Sequence, residues 1–407
     1  MTVDVRLDGL LDEAGALQPR TIALRRSLHR HPEVGLQLPR TQQAVLDAIG
    51  DLGLRVRTGR SVTSVVAVLD GARPGPTVLL RGDMDALPLA EDTGLEFASR
   101  VDGAMHACGH DTHVAMLAGA ARLLAARRQD LAGRVVFMFQ PGEEGLHGAR
   151  SMLEEGLLDQ SGDGAAPVGA AFALHISTQY ESGTLNLRAG PTMASGDRIE
   201  MVVRGRSGHA SAPYRSLDPV PIACEIVQAL QVLVTRTVDV FDPAVVTIGR
   251  IAAGTTHNII PETVEMSGTM RTLSERNREA LRARVVQLAE GIAAAHGATA
   301  TVDVEAGYPV TVNAAGAAEL LGGVAAELVG SDRVRPLRDP VMGSEDFSYV
   351  LQRVPGAIAF LGGCPPGVDP DEAPPNHSRQ VVFDEDALAV GVATYAGAAL
   401  RQLAAGG

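Results

Sequence analysis

The sequence predicts an α/β fold in which a mostly parallel mixed sheet, flanked by helices, is interrupted by an inserted ferredoxin-like α+β domain. In the first half of the chain, short runs that are apolar on both faces alternate with helix-forming segments, as strands buried in a parallel or mixed sheet do. After Gly190-Pro191 the strands alternate polar and apolar residues instead, in the order β-α-β-β-α-β. After Asn313 the first pattern returns, so we expect 188–308 to be inserted between 1–187 and 309–407.

The elements of the first part follow from apolar runs and capping residues. Gly53 is placed to end a helix, and Asp111 and Thr112 are candidate caps for a later one. We expect helices at Thr21–His29, Thr41–Leu52 and His113–Ala126. We expect buried strands at Ser64–Leu69, Thr77–Leu80, Val135–Phe139 and Ala170–Leu174.

The inserted domain is predicted from strands that alternate polar and apolar residues and from residues that start helices. Asp218-Pro219 supplies an N-cap and a proline in the first helical position. We expect its strands at Asp197–Arg204, Val245–Ile251, Thr263–Met270 and Thr299–Glu305, and its helices at 218–234 and Ser274–Ala295. A strand at Ala357–Leu361 and a helix at Asp386–Ala404 then return to the first sheet. A sheet that helices cover on one face keeps an edge strand free to pair with a second chain, so this domain is suited to dimerisation.

Composition excludes several classes of enzyme and partner. The 407 residues include 35 basic and 48 acidic ones, a net charge of −13, and every basic residue is arginine. Without lysine the chain has no Schiff-base lysine, no pyridoxal-phosphate anchor and no P-loop lysine. The acidic charge argues against nucleic acid and against an anionic membrane as partners.

Targeting and disulfide signals are not expected either. The sequence contains no apolar run long enough for a signal peptide or for the ~20-residue span of a membrane helix. Its cysteines, Cys108, Cys224 and Cys364, are scattered and odd in number. We therefore expect no membrane association, no disulfide framework and a reducing, cytoplasmic location.

The first chemical cluster is the segment HACGHD (106–111). Because Cys108 and His110 flank a glycine, a tight turn can aim both at one point, and a thiolate with an imidazole suits a transition metal. Asp111 is placed to fix the tautomer of a histidine. The alternative is a buried free cysteine with helix-capping neighbours.

The second cluster is the pair Glu143 and Glu144, in the segment QPGEEG that directly follows a predicted strand. Adjacent carboxylates repel each other unless a cation offsets the repulsion, which favours one carboxylate on a metal and the other as a base. The alternative is a solvated helix N-terminus, where glutamate is favourable.

Two isolated histidines complete the set. His175 ends the predicted strand Ala170–Leu174, where a satisfied core histidine is the alternative reading. His377 follows the Pro- and Asp-rich loop PPGVDPDEAPP (365–375) and alone would indicate little.

Together the potential ligands are Cys108, His110, Glu144, His175 and His377. Five are too many for one tetrahedral zinc with an open position, and they suit two metals that share a water, ~3.5–4 Å apart. A nucleophilic Cys108 is the rival chemistry, but it leaves the acidic pair and His377 without a role.

The ordered motifs resemble those of the hippurate hydrolase and auxin-conjugate amidohydrolase family, co-catalytic metallopeptidases related to aminoacylase. The resemblance covers nearly the whole chain. It rests on RRSLH (25–29), RGDMDALPLAE (81–91), GAMHACGHDTH (103–113), QPGEEG (140–145), GHASAP (208–213), HNIIP (257–261), GTMRT (268–272), GSEDFS (343–348) and NHS (376–378). Gly82 and Gly142 stand where the family has alanine, and both changes leave the potential ligands intact.

The resemblance implies that 1–187 and 309–407 form the catalytic, metal-binding domain, and it implies a role for each candidate site residue there. Its five potential ligands fall where the family binds two divalent metals, with Cys108 in place of the bridging carboxylate of related aminoacylases. Glu143 falls on the general base, and Asp83 falls on an aspartate that orients a metal ligand. Arg81 stands where related aminoacylases carry a metal-binding histidine.

The segment 188–308 resembles the family's lid and dimerisation domain. His209 falls on a histidine that reaches into the partner's active site and stabilises the oxyanion. Asn258 and Arg271 fall on residues that hold the substrate carboxylate, and an arginine fork suits a carboxylate.

The function that the resemblance implies is hydrolysis of N-acyl amino acids to a carboxylic acid and an amino acid. It implies two divalent ions, zinc or manganese first and cobalt or nickel next, in a homodimer or higher homo-oligomer. A dipeptidase or aminopeptidase on the same fold is the alternative. A catalytically idle metal-binding or effector-binding protein would need a broken base or ligand, and all are present.

Overall fold

The computed structural model describes residues 7–159 and 166–405. Residues 1–6, 160–165 and 406–407, which the predicted domain 1–187 and 309–407 includes, lie outside the described part. The described strands are β1 Arg55–Thr58, β2 Val65–Asp70, β3 Arg73–Asp83, β4 Ala132–Gln140, β5 Val168–Glu181, β6 Leu185–Leu187, β7 Gly190–Met193, β8 Gly196–Arg204, β9 Gly208–His209, β10 Ala244–Ala253, β11 Ile259–Ile260, β12 Thr263–Thr272, β13 Thr299–Tyr308, β14 Thr311–Asn313, β15 Val334–Pro336 and β16 Gly356–Cys364. The described helices are α1 Leu10–His29, α2 Pro39–Ile49, α3 His110–Ala126, α4 Gly148–Glu154, α5 Pro219–Thr237, α6 Glu275–Ala295, α7 Ala315–Val329, α8 Ser348–Leu351 and α9 Ala387–Ala405.

The packing divides the chain into two compact units. The larger unit consists of the described residues within Met1–Thr192, Val312–Asp339 and Tyr349–Gly407, and the smaller one of Met193–Thr311 and Pro340–Ser348. The segment Pro340–Ser348 packs with the smaller unit because the amide of Ala194 donates to the carbonyls of Val341 and Gly343. The catalytic and lid roles of the segments 1–187, 188–308 and 309–407 stay predictions.

The larger unit contains an eight-stranded mixed sheet in the order β1-β2-β4-β3-β5-β16-β6-β15. The neighbours β4-β3, β3-β5, β5-β16 and β6-β15 run parallel, and the other pairs run antiparallel. All nine residues of β16 are buried, as parallel strands between helical layers are. The predicted fold class, a mostly parallel mixed sheet flanked by helices, is confirmed.

Helix α9 lies in the core of the larger unit, where it packs against α1, α3 and α7 and against β3, β4, β5 and β16. By length and composition alone it could cross a membrane, and it is the single helix of the described residues that meets this test. Of the window that meets the test, 72% is buried inside the protein. Contacts in the core therefore account for its apolar composition.

Several elements of the larger unit extend beyond their predicted bounds, and α1 and β5 show why. Helix α1 begins at Leu10 and includes Pro19, although proline costs about 3 kcal/mol in a helix interior. The fully buried Leu10 and Ala14 hold this first part of the helix on the core. Strand β5 continues to Glu181 because β16 pairs with it that far, so that His175 lies inside the strand.

The smaller unit has the predicted ferredoxin-like order. Its antiparallel sheet runs β10-β12-β8-β13, with α5 and α6 packed on it. Ile199, Met201 and Val203 all face the core with at most 1% of their surface exposed. The side chains of Asp218 and Ser274 cap α5 and α6 by accepting from amides of the first turn.

A buried ion pair joins a helix to a strand in the smaller unit. The Arg278 guanidinium contacts both oxygens of Asp197, at 2.8 to 3.1 Å, and donates to the carbonyl of Gly307 at 2.9 Å. Both charged side chains are nearly fully buried. Removal of Arg278 would leave the Asp197 carboxylate buried without its guanidinium partner.

We expect Arg278→Met to lower the free energy of unfolding by about 3–5 kcal/mol, because the buried Asp197 carboxylate would lose its guanidinium partner. Urea denaturation followed by circular dichroism measures this change. The control is Arg198→Met, whose 66% exposed side chain pairs with Glu200, and which should cost less than about 1 kcal/mol. Equal midpoints for the two variants would contradict the prediction.

Candidate metal centre

Neighbouring parallel strands deliver the acidic part of the site. Strand β3 ends at Asp83 and β4 ends at Gln140, and these two residues are partners in the register. Parallel strands end at the same edge of a sheet, so the segments that follow β3 and β4 start side by side. These segments carry Asp85 and the pair Glu143 and Glu144.

Two glycines form the turns of the site. Gly109 has φ 86°, and a Cβ there would lie 2.4 Å from Cγ2 of Ile176. Gly142 has φ 69°, and a Cβ there would lie 2.3 Å from Cδ2 of Leu36. A side chain at either position would be strained by the left-handed backbone and by the contact. Gly109 therefore allows the tight turn between the two potential ligands that flank it.

The five potential ligands lie together in the larger unit. The Sγ atom of Cys108 is 3.4 Å from Nε2 of His175 and 3.2 Å from Nε2 of His377. A carboxylate oxygen of Glu144 is 3.2 Å from the same nitrogen of His377. A ring nitrogen of His110 lies within 4.8 Å of the ligand atoms of Cys108 and His175.

Two groups of three potential ligands share the sulfur of Cys108. One contains His110 and His175, and the other contains Glu144 and His377, with the ligand atoms of each group within 4.8 Å of one another. Separations of 3.2–3.4 Å suit atoms that bind one ion with bonds of about 2.0–2.3 Å. Glu143 belongs to a further group, with His110 and Glu144.

The surroundings favour the metal-binding form of the cysteine. Burial raises the pKa of the Cys108 thiol, but the imidazoles of His175 and His110 lower it more, to well below its usual range. Hydrogen bonds to Cys108 and Glu144 raise the pKa of His377 to about 10. Burial raises the pKa of Glu144, and the negative charge of Cys108 adds to this effect. The thiolate is the form of cysteine that binds metals.

The donor set fits a divalent transition metal. The fully buried His110 has no hydrogen bond of good geometry at either ring nitrogen among residues 7–159 and 166–405. The carboxylates of Asp83 and Asp85 approach these nitrogens at 3.3 and 3.5 Å. A buried imidazole without a well-aligned hydrogen bond requires an explanation, and an ion bound at one ring nitrogen would supply one. A thiolate, imidazoles and a carboxylate are ligands that zinc and its neighbours accept.

Asp83 is buried among three basic side chains. Its oxygens lie 2.5 Å from Nδ1 of His113, 2.9 Å from Nη1 of Arg81 and 3.3 Å from Nε2 of His110. Burial raises the pKa of Asp83, but Arg81 and the two histidines lower it well below its usual value. His113, to which the sequence assigned no role, also accepts the amide of Ile176 at Nε2, at 2.8 Å. Because both its nitrogens are engaged, His113 supports strand β5.

Asp85 is a residue of the site that the sequence reasoning missed. Its two oxygens accept the backbone amides of Glu143 and Glu144, at 2.9 and 3.0 Å. One of them also lies 3.5 Å from Nδ1 of His110. The buried Asp85 thus ties the acidic pair to a potential ligand. The signal was available in the sequence as a second aspartate two residues after Asp83 at the end of a buried strand.

Asp111 is hydrogen-bonded to a histidine, as predicted, but that histidine is His29, which is not one of the potential ligands. The Oδ2 atom of Asp111 accepts from Nε of Arg25 at 2.8 Å and lies 2.8 Å from Nδ1 of His29. All three side chains are buried, so His29 is a packing residue that joins α1 to the first turn of α3. His106 is also buried, and burial lowers its pKa to about 4.

The remaining predicted residues lie in the smaller unit. His209 on β9 pairs with Ile259 on β11, and the amide of Ala210 donates to the carbonyl of Asn258 at 3.1 Å. Nδ1 of His209 accepts the amide of Ser211 at 3.1 Å, which places its proton on Nε2. The exposed His209 and Asn258 are therefore neighbours.

Arg271 lies apart in sequence, on β12, and is half-buried. Its Nη1 donates to Oγ of Ser344 at 2.9 Å. Burial lowers the pKa of its guanidinium. A Cβ at Gly196 would lie 2.5 Å from the same nitrogen, so the glycine leaves room for the arginine.

The chain is similar to known proteins over most of its length. Residues 79–401 match the model of peptidase family M20/M25/M40. The chain is 38% identical to thermostable carboxypeptidase 1 of Saccharolobus solfataricus, over 96% of this chain and 97% of that protein. It is 39% identical to N-acetylcysteine deacetylase of Bacillus subtilis, over 85% of this chain and 89% of that protein. A solved structure, a dinuclear metal-binding peptidase of the M20 family from Bacillus subtilis, matches with a TM-score of 0.81 and 35% identity, over 96% of this chain and 99% of that one.

We expect Asp85→Asn to reduce metal retention about 10–100-fold. The side-chain NH2 of the asparagine would face one of the two backbone N–H groups from which the carboxylate now accepts hydrogen bonds. Metal content after dialysis against a graded chelator series measures this loss. The matched control is Asp47→Asn, an exposed aspartate on α2, which should leave metal content unchanged. Wild-type retention in Asp85→Asn would show that the acidic pair does not depend on Asp85.

Proposed function

The chain belongs to peptidase family M20/M25/M40, and from this premise we propose that it hydrolyses the amide bond of N-acyl amino acids to a carboxylic acid and an amino acid. The observation that carries the proposal is the cluster of Cys108, His110, Glu144, His175 and His377 beside Glu143. The similarity to an N-acetylcysteine deacetylase supports an N-acyl amino acid as substrate.

We assign the five potential ligands to two divalent ions, and Cys108, which belongs to both groups of ligand atoms, would contribute to each site. His110 and His175 would complete one site, and Glu144 and His377 the other, in line with the two groups of ligand atoms. Zinc or manganese is our first choice for the ions, and cobalt or nickel the second. The thiolate and imidazole donors favour zinc, and the family resemblance allows the other three. When bound, such ions lower the pKa of water toward ~7 and polarise a carbonyl oxygen.

Glu143 acts as the general base in this proposal. Glu143 is 7% exposed, and Asp85 accepts its backbone amide, which fixes the backbone that carries the carboxylate. Glu143 takes a proton from the attacking water and later donates it to the leaving amine nitrogen. A carboxylate that shuttles a proton in this way needs no lysine and no serine nucleophile.

His209 stabilises the oxyanion through Nε2. The amide of Ser211 occupies Nδ1, so Nε2 carries the proton and is a hydrogen-bond donor. A preorganised donor of this kind stabilises charge that develops in the transition state. We propose that His209 acts on the site of a second subunit, in a homodimer formed through the smaller unit.

Arg271 and Asn258 hold the free carboxylate of the substrate. A guanidinium presents five N–H donors, and the contact with Ser344 fixes one end of Arg271. The half-buried position strengthens a charge-assisted bond to a carboxylate, because less water competes there. Asn258 adds a neutral amide next to His209.

The alternative is a peptidase on the same fold, a dipeptidase or an aminopeptidase. The observation in its favour is the 38% identity to a thermostable carboxypeptidase. Such an enzyme would need to accommodate a free amino group where the N-acyl group lies. A cytoplasmic location stays a prediction.

We expect a chelator to abolish hydrolysis and added zinc or manganese to restore it, because the proposed mechanism needs a Lewis acid. The measurement is product release from N-acetyl, N-benzoyl and indolyl-acyl amino acids and from dipeptides, after metal removal and with each metal in turn. N-acyl amino acids should be cleaved at least about tenfold faster than dipeptides. Preference for dipeptides would support the alternative, and metal-independent activity blocked by iodoacetamide would support the cysteine nucleophile.

We expect Glu143→Gln to retain metal but to lower kcat by about 10²–10⁴, because the amide cannot accept the proton of water. Steady-state kinetics with parallel metal analysis separate the two effects. Glu154→Gln, at a 72% exposed position on α4, is the control and should keep wild-type kinetics. Near-full activity in Glu143→Gln would show that Glu143 is not the general base.

A further inference from the structure

The side chain of Asn376 lies where three ligand-bearing segments meet. Its Nδ2 donates to the carbonyl of Cys108 at 3.1 Å and to the carbonyl of Ile176 at 3.0 Å. Asn376 itself directly precedes His377, and Ile176 directly follows His175. One amide group therefore connects the backbones beside three of the five potential ligands.

His377 is the potential ligand that most needs such support. Its side chain is 54% exposed, whereas the other potential ligands are buried or mostly buried. Its backbone has φ 68°, and in the described part of the chain only His147 shares a positive φ among non-glycine residues. A left-handed backbone persists at such a residue only where the surroundings enforce it. The amide of His377 donates to the carbonyl of Ala107, at 2.9 Å, on the same turn that Asn376 contacts.

The contact with Ile176 also affects the orientation of His175. Nδ1 of His175 lies 2.8 Å from the carbonyl oxygen of Ile176, the same atom that accepts from Asn376. A carbonyl only accepts, so Nδ1 carries the proton, and Nε2 keeps its lone pair 3.4 Å from the sulfur of Cys108. Asn376 thus holds the acceptor that fixes the tautomer of His175.

The two contacts of Asn376 require a side-chain amide. Two carbonyl oxygens face Nδ2, and a primary amide offers two N–H groups to them. A carboxylate would offer no donor and would repel both carbonyls, while an aliphatic side chain would leave them without this partner.

We propose that Asn376 is a positioning residue that sets the affinity of the centre for its metal ions by holding the Cys108, His175 and His377 segments in register. The inference rests on the proposed metal-dependent function. It concerns retention of the ions rather than the chemical step, so excess metal should compensate for the loss of Asn376.

The test uses Asn376→Leu, which has similar size and no donor, and Asn376→Asp, which keeps the shape and reverses the polarity. The control is Thr178→Val, because Oγ1 of Thr178 anchors the same loop by donating to the carbonyl of Pro374 at 2.8 Å rather than to a carbonyl of Cys108 or Ile176. Each protein is loaded with zinc or with manganese, and transfer of the ion to a chelator is measured alongside the melting temperature of the metal-free form.

We expect both Asn376 variants to bind the ions about 10–100-fold more weakly than the wild type. Thr178→Val should stay within about threefold, although each change removes an anchor of the loop. The kcat of Asn376→Leu at saturating metal should approach the wild-type value. A purely structural role predicts instead that melting temperature and metal affinity fall together in all three variants.

Wild-type metal affinity in both Asn376 variants, or equal losses in Thr178→Val, would overturn the proposal while leaving the proposed function in place. A wild-type protein that binds no zinc or manganese would overturn both. If Asn376→Leu does not fold, the result for Asn376→Asp decides, because its side chain has the same shape as the native one.

Discussion

The structure depends on the compensation of charge that is buried at one edge of the large sheet. Asp83, Asp85, His110 and Asp111 are all at most 1% exposed. An isolated charge in such a place is strongly unfavourable, so each carboxylate must meet a cation, an imidazole or backbone N–H groups. Asp83 meets Arg81 and Asp85 meets two amides of the acidic loop. The contacts that compensate this buried charge are therefore also contacts that build the site.

The need to compensate this buried charge explains why side chains from elements distant in sequence contact the residues of the site. The guanidinium of Arg25, on the first helix, pairs with Asp111 at the start of α3. Burial raises the pKa of Asp111, but Arg25 and His29 lower it far below its usual value. The phenol of Tyr395, on the last helix, donates to the carbonyl of Arg81 at 2.6 Å and accepts the amide of Leu174 at 2.9 Å. Tyr395 thus fixes β3 and β5 next to each other just before they carry Asp83 and His175.

The elements that were predicted correctly from the sequence have a local cause. The cap at Asp218, the helix expected from Ser274 and the inward face of β8 follow from side chains within a few residues. The caps expected at Gly53, Asp111 and Thr112 were wrong, because α2 ends before Gly50 and α3 begins directly after Gly109. The extension of α1 through Pro19 has a tertiary cause, since burial of Leu10 outweighs an unfavourable residue. The position of His175 inside β5 has a similar cause, because pairing with β16 prolongs the strand.

The sequence by itself determined which side chains could bind a metal, since a thiolate, imidazoles and carboxylates owe that capacity to their own chemistry. Only the tertiary structure decided which of them meet. Asp85, rather than Asp83, accepts the amides of the acidic pair, and His113 is engaged at both nitrogens. Asn376 reaches the carbonyl of Cys108 across 268 positions of sequence. The physical reason is that hydrogen bonds act over about 3 Å, and the pairs of residues that come so close are selected by the packing of the whole chain.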